Sequence, residues 1–370
     1  MIIERKREPQ KYNLDQYPNE LKLDIVLQRK MTTYLHRSLP MCIILSNENY
    51  KGWYYTNFVQ IMSNTLDDGL VELNYITPRD GYIEITENIC LGYPVLHYED
   101  EFVSYVIECI NRGYYLIVHL DEFYIPDKWA YEEIHFVHAS LVYGYNMEKR
   151  ELYGIGFDDD MIFREITFDF DIFNDAYEAG KKNYKEYAFW CEWSAVQLIK
   201  PKSPNTPFPF DLKRFRDELD DYMTSRRDDY KLYSFDYPMD RMRCGACVYD
   251  QVIEKMQELK TGVLHIDYRA FHLIAEHKKG LLERFTYVKE IYDVPDTYLT
   301  NLQKYAEFVE EVEKFRLDCF AVLEAGELDG QVTEQKMEYI DHSIEKLKKI
   351  VDTERALLAE IMKDLRGIEC

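Results

Sequence analysis

Residues 135–146 read HFVHASLVYGYN, and this stretch decides more about the fold than any other. It is an apolar run bounded by polar residues, which is typical of a buried strand. The run YYLIVHLD at 114–121 precedes it, and ELYGIGF at 151–157 follows it after the polar segment NMEKR. Short polar connections between such runs favour hairpins. We therefore predict an antiparallel sheet built around residues 114–157.

The sequence on either side of this stretch adds helices and further strands. Apolar residues at helical spacing predict a helix over 102–110 that ends at an Asn-Arg-Gly turn. Alternating segments predict strands within 70–98 and a last strand within 190–201, and residues 161–180 lead from a strand into a helix. For residues 39–62 the pattern leaves helix and strand open on either side of a turn at SNENYKG.

The composition changes after residue 200. The stretch KPKSPNTPFPF at 200–210 has four prolines in 11 residues and is the strongest candidate for a domain boundary. Beyond it, apolar residues recur every three or four positions. This spacing predicts helices over 211–224, 248–259, 267–292, 297–323 and 333–366. The predicted fold class is α+β, with a sheet-containing domain over 1–200 and a mainly α-helical domain over 201–370.

The composition also excludes several classes of function. With 45 basic and 68 acidic residues the net charge is −23, and such a surface repels nucleic acids and anionic membranes. It disfavours an acidic carrier protein as a partner unless a local basic patch overrides it. No apolar run reaches the length of a membrane span, the N-terminus lacks the apolar core of a signal peptide, and the eight cysteines form no disulfide framework. We expect a cytoplasmic protein with reduced thiols, and the sequence predicts no oligomeric state.

His138 stands near the start of an apolar strand that ends in Gly-Tyr. This arrangement resembles the histidine strand of papain-like and peptidase C39-like domains. The resemblance makes His138 the catalytic imidazole, with a carboxylate on the following strand to orient it. That strand runs into GFDDD, so Asp158 is the first candidate and Asp160 the second. The structural alternative is a core histidine beside a solvated acidic turn, and such a turn could also bind a hard cation.

Two further segments resemble one particular family. Residues 113–126, GYYLIVHLDEFYIP, look like the segment that precedes the histidine strand in butirosin biosynthesis protein H-like domains. Residues 268–279, YRAFHLIAEHKK, look like the helical C-terminal part of relatives from nonribosomal-peptide gene clusters. The family's named member moves an acyl group from a carrier-protein thioester to an amine through a cysteine. The resemblance therefore implies a papain-like domain, a carrier protein and a small-molecule amine as partners, and no metal or redox cofactor.

The resemblance places the cysteine nucleophile at the start of an early helix, near Leu35. The nearest cysteine is Cys42, which lies inside an apolar run where a buried, inert thiol is the alternative. Ser38 is a further substitute. Two hypotheses follow. One is a cysteine- and histidine-dependent acyltransferase or amide hydrolase of secondary metabolism, and the other is a non-catalytic binding or scaffold protein of the same fold.

Two weaker motifs lie in the helical part. Cys244-Gly-Ala-Cys247 has the spacing of a redox or zinc motif, but a second pair of ligands is missing, so packing at a helix start is favoured. The most basic locality comprises Arg269, His277, Lys278 and Lys279. It could meet a phosphate or carboxylate, although a solvated helix face is favoured.

Overall fold

The apolar runs on either side of residue 140 form neighbouring strands of one antiparallel sheet. A computed structural model describes residues 12–66, 69–76, 82–96, 101–202, 205–227, 239–261, 267–326 and 334–369. The strands are β1 Glu20–Lys22, β2 Ile61–Thr65, β3 Val71–Tyr75, β4 Thr86–Leu91, β5 Tyr115–Asp121, β6 Val137–Asn146, β7 Glu151–Phe157, β8 Phe163–Asp169, β9 Val196–Pro201 and β10 Met242–Cys244. The helices are α1 Leu35–Ile44, α2 Lys51–Thr56, α3 Phe102–Asn111, α4 Phe170–Tyr187, α5 Leu212–Thr224, α6 Val248–Glu258, α7 Arg269–Ile291, α8 Asp296–Gly326 and α9 Glu334–Arg366.

The chain is a mixed α/β protein with antiparallel sheets and a helical C-terminal region, as predicted. It divides into two compact units that differ from the predicted domains 1–200 and 201–370. The first unit comprises Met1–Tyr50 and Gly81–Thr206, and the second comprises Lys51–Asp80 and Pro207–Cys370. The segment between residues 51 and 80 joins the second unit because β2 pairs with both β3 and β10 in a three-stranded sheet.

The first unit is built on a seven-stranded sheet in the order β4-β9-β5-β6-β7-β8, with β1 paired to β6. The hairpin between β6 and β7 and the strand within 190–201 are present as predicted. In the ladder between β5 and β6, Leu120 lies opposite His138 and His119 lies opposite Ala139. The two ends that matter for the site, the end of β5 and the start of β6, are therefore adjacent.

The two faces of this sheet are covered by different helices. Helix α1 packs on one face, where Cys42 and Ala139 belong to the same apolar cluster. Helices α3 and α4 pack on the other face, in a cluster that includes Leu120. Because side chains alternate across a strand, His138 and Ser140 project from the face opposite Ala139 and α1.

The second unit is mainly helical, and each predicted helix is present. Helices α7, α8 and α9 are long and pack on one another, while α6 packs on β2 and β3. The interior of the second unit contains a buried ion pair, in which Nζ of Lys278 lies 2.8 Å from Oε1 of Glu354. Across the described ranges of both units, no helix is long and apolar enough to cross a membrane.

Candidate functional site

The end of β5 carries two consecutive buried carboxylates, Asp121 and Glu122. Asp121 caps the short helix Glu122–Tyr124 by accepting the backbone N–H of Phe123 at 3.3 Å. It also accepts the backbone N–H of Phe136 at 3.2 Å, just before β6. Antiparallel pairing brings this end of β5 to the start of β6, so both carboxylates meet the histidines there.

Glu122 holds the ring of His138. Nδ1 of His138 lies 3.2 Å from Oε1 of Glu122, and the same oxygen lies 3.1 Å from Nζ of Lys128. Burial alone would raise the pKa of Glu122, but the hydrogen bond from His138 and the charge of Lys128 outweigh burial and lower this pKa. Glu122 is therefore ionised at neutral pH and only accepts hydrogen bonds, so Nδ1 is the atom of the His138 ring that donates in this contact.

A second imidazole is held in the same way by Asp121. Nδ1 of His135 lies 2.8 Å from Oδ2 of Asp121, and Nδ2 of Asn183 on α4 donates to that oxygen at 2.8 Å. The His135 ring lies against Phe123, with 4.6 Å between the ring centres. Asp121 is fully buried, whereas 38% of the His135 side chain is exposed. As in His138, the atom that faces the carboxylate is Nδ1.

Aromatic side chains lie next to the two imidazoles. The ring of Phe136 lies 4.9 Å from that of His138 and contacts Trp129, and Tyr124 and Tyr187 lie near His135. The large exposed apolar side chains of the segment before β6, of the end of α4 and of the segment after it are Tyr124, Trp129, Tyr131, Ile134, Tyr187, Phe189, Trp190 and Trp193. Together these side chains give this end of the first unit an exposed aromatic surface.

The predicted orienting carboxylate, Asp158, has other partners. It forms an ion pair with Arg164, and its Oδ1 accepts the backbone N–H of Ile162 at 2.7 Å. These contacts close the turn between β7 and β8, and Asp160 is exposed in the same turn. The carboxylate at Nδ1 of His138 comes from the preceding strand, so the assignment of Asp158 is corrected to Glu122.

The predicted nucleophile, Cys42, is fully buried in the apolar cluster between α1 and the sheet. Burial raises the pKa of the Cys42 thiol to about 12, so the thiol stays protonated and lacks the reactivity of a thiolate. His138 projects from the opposite face of the sheet, and the structure does not bring the two together. Ser38 is also buried, and its hydroxyl donates to the backbone carbonyl of Tyr34 at 2.7 Å.

The imidazole on the α1 face is that of His119, which lies opposite Ala139 in the ladder. Its Nδ1 lies 3.2 Å from the carbonyl oxygen of Ala195, and its Nε2 accepts the indole N–H of Trp190 at 3.1 Å. Burial lowers the pKa of His119 to about 4, which keeps the ring neutral. Both ring nitrogens are engaged, so His119 has a structural role.

The contacts of the Cys-Gly-Ala-Cys motif agree with the predicted packing at the start of a helix. Cys244 is buried at the end of β10, and Sγ of Cys247 donates to the carbonyl of Cys244 at 3.0 Å. Within the ranges that the structure describes, no three residues among His, Cys, Asp and Glu are grouped so that they could hold a metal ion.

The basic locality on α7 is neutralised by local carboxylates. Lys278 is paired with Glu354 in the interior, and Lys279 lies 3.0 Å from Glu313. His277 is also buried. The prediction of a solvated helix face is therefore wrong for His277 and Lys278. The paired charges do not support an anion site.

Comparison with known proteins adds no relative. No protein-family model matches the chain, and no curated protein matches it significantly. The function of the chain is therefore inferred from the geometry of the two imidazole–carboxylate pairs.

Proposed function

We propose that the first unit is a papain-like acyl-transfer domain in which His138 acts as a general base without a cysteine nucleophile. The observation that carries the proposal is the contact between Nδ1 of His138 and the ionised Glu122. It presents a basic Nε2 on a side chain that is 27% exposed. A positioned general base accelerates proton transfer about 10²–10⁴-fold.

The proposed substrate is an acyl thioester on a carrier protein, with an amine or water as the acceptor, in a pathway of the nonribosomal-peptide type. What supports a papain-like domain is the order of its elements. Helix α1 precedes an antiparallel sheet and packs on one face of it, and a histidine stands near the start of a central strand. What supports a substrate with an apolar acyl group is the exposed aromatic surface around the imidazoles.

The proposed reaction balances without a covalent intermediate. Nε2 of His138 accepts a proton from the amine or water while that nucleophile forms a bond to the thioester carbonyl carbon. Collapse of the tetrahedral intermediate breaks the C–S bond, and the departing thiolate takes the proton from the imidazolium. The negative charge of Glu122 stabilises this imidazolium. Neither step involves Cys42, which is in keeping with the burial of its thiol.

The experiment that tests this function measures thiol release from acyl-N-acetylcysteamine thioesters, with and without a primary amine. We expect His138→Ala to lower the rate by about 10²-fold, because the general base is lost. The matched control is His342→Ala, which alters an exposed histidine of the second unit and leaves the rate unchanged. Equal rates for His138→Ala and the native protein would refute the proposal.

The burial of Cys42 also favours a second candidate, a non-catalytic binding protein of the same fold. In that case the exposed aromatic side chains alone would bind the acyl thioester. Calorimetry with the same thioesters would then show binding that persists in His138→Ala, and thiol release by the native protein would not exceed that in buffer.

A further inference from the structure

We propose that Lys128 is a positioning residue, whose ammonium holds the carboxylate of Glu122 against Nδ1 of His138 and so fixes the tautomer of that imidazole. The catalytic meaning of this inference rests on the proposed function. The tautomer itself is a property of the folded protein and is measurable without turnover.

Lys128 reaches the site from the loop between β5 and β6, and its side chain is only 2% exposed. Nζ lies 3.1 Å from Oε1 of Glu122, the same oxygen that lies 3.2 Å from Nδ1 of His138. Nζ also donates to the backbone carbonyl of Phe157 at 2.6 Å, at the end of β7. The ammonium is therefore held from two sides, and Oε1 of Glu122 is held between two donors.

The charge of Lys128 determines what Glu122 can do. A buried carboxyl group without a cation tends to take up a proton, and burial acts on Glu122 in this direction. A protonated Glu122 could donate a hydrogen bond to Nδ1 as readily as accept one, so the imidazole could then carry its proton on Nε2. The charged or titratable groups that act on Glu122 are Lys128 and His138, and His138 in turn interacts with His119. Lys128 is the lysine among them, and it forms an ion pair with Glu122 at 3.1 Å.

The space around the ammonium is closely filled. A Cβ atom at Gly156 would lie 3.1 Å from Nζ of Lys128 and 3.2 Å from Oγ of Ser140. The Oγ atom of Ser140 is buried and has no hydrogen-bond partner among the described residues. Because Gly156 has no side chain, the ammonium of Lys128 fits beside it. The substitution Gly156→Ala displaces the ammonium by a few tenths of an ångström without removing its charge.

The test measures the tautomer of His138 by NMR, from the shifts of the two ring nitrogens in protein labelled with isotope-enriched histidine. The pH is mildly alkaline, and His138→Gln assigns the signals. We expect the native protein to carry its proton on Nδ1. In Lys128→Met and in Glu122→Gln the population shifts towards Nε2–H. Because Lys128 acts through Glu122, adding Lys128→Met to Glu122→Gln produces no further shift.

Two more variants complete the test. Lys255→Met removes a buried lysine of the second unit, which is paired with Glu258 at 3.1 Å, and it leaves the tautomer unchanged. Gly156→Ala gives a smaller shift in the same direction as Lys128→Met and takes its place if that variant does not fold. A folded Lys128→Met or Gly156→Ala protein that keeps the native tautomer population overturns the inference.

Thiol release separates this inference from the proposed function. If both hold, Lys128→Met lowers the rate by at least about tenfold, because the imidazole then presents the wrong nitrogen. If the tautomer shifts as expected and the native protein releases no thiol, the positioning role stands and the proposed function fails.

Discussion

At the scale of single residues, the chemistry of the site depends on which ring nitrogen faces a carboxylate. Nδ1 of His138 faces Glu122, and Nδ1 of His135 faces Asp121. Each contact orients the ring through Nδ1. The two pairs use consecutive carboxylates at the end of one strand, so a change at either carboxylate acts directly on one imidazole.

Cys42 provides a prediction at this scale. Because burial raises the pKa of its thiol to about 12, we expect Cys42 to resist a maleimide pulse in the native protein and to react after denaturation. The exposed Cys90 is the control and reacts in both states. Mass spectrometry of the labelled peptides measures the difference, and rapid labelling of Cys42 in the folded protein would contradict the structure.

The carboxylate that contacts His138 is Glu122, whereas the prediction was Asp158. This difference shows what the sequence can and cannot predict about the site. The importance of the strand that carries His138 could be predicted from its pattern. The resemblance predicts a carboxylate on the following strand, although antiparallel pairing brings the end of the preceding strand equally close. The acidic pair Asp121-Glu122 directly after an apolar run was the available signal. The contact of Lys128 depends on the course of a loop, which no periodicity describes.

At the scale of elements, Asp121 connects β5, the start of β6 and α4. Its carboxylate accepts hydrogen bonds from the backbone N–H groups of Phe123 and Phe136 and from side chains of His135 and Asn183. An amide in its place has only one acceptor oxygen, which leaves a part-buried donor without its acceptor. These contacts make Asp121 the residue that fixes the two strand ends relative to the helix.

We therefore expect Asp121→Asn to lower the free energy of unfolding by about 1–3 kcal/mol. The matched control is Asp169→Asn at the start of α4. Asp169 caps that helix in an exposed position, and Asn is an equally good cap, so the expected loss is below about 0.5 kcal/mol. Urea unfolding of both variants measures these values. A loss at Asp121 no larger than at Asp169 would argue against this role.

The local elements followed from the sequence because their signals are local. The helix over 102–110 and the strands around residue 140 have clear periods and turns, and both are present. The segment between residues 51 and 80 belongs to the second unit, whereas the predicted first domain covers residues 1–200. Its strand β2 pairs with β10, some 180 residues later in the chain, and such a long-range pairing leaves no local pattern.

At the scale of the whole molecule, the second unit contains a buried polar network around Lys278. The ammonium contacts Glu354 at 2.8 Å, the hydroxyl of Tyr222 at 2.6 Å and Nδ1 of His277 at 2.9 Å. Nε2 of His277 lies 2.8 Å from the carbonyl oxygen of Val59. Burial and the charge of Lys278 hold the pKa of His277 well below its usual value, so the folded ring is neutral.

This network predicts how stability depends on pH. Below about pH 6.5 an unfolded histidine takes up a proton that the folded His277 does not bind. The free energy of unfolding therefore falls with decreasing pH, by about 1.4 kcal/mol per pH unit for this one group. His277→Gln preserves a donor and an acceptor and should remove this part of the slope in urea unfolding. His342→Gln, at an exposed site, should leave the slope unchanged.

In the proposed function an imidazole–carboxylate pair, and not a cysteine, drives acyl transfer. The most direct test is the intact mass of the protein during turnover of an acyl thioester, recorded together with thiol release for the native protein and Cys42→Ala. We predict that thiol is released at the same rate by both proteins while the protein mass stays unchanged. An acyl adduct that forms during turnover and is lost in Cys42→Ala would contradict it.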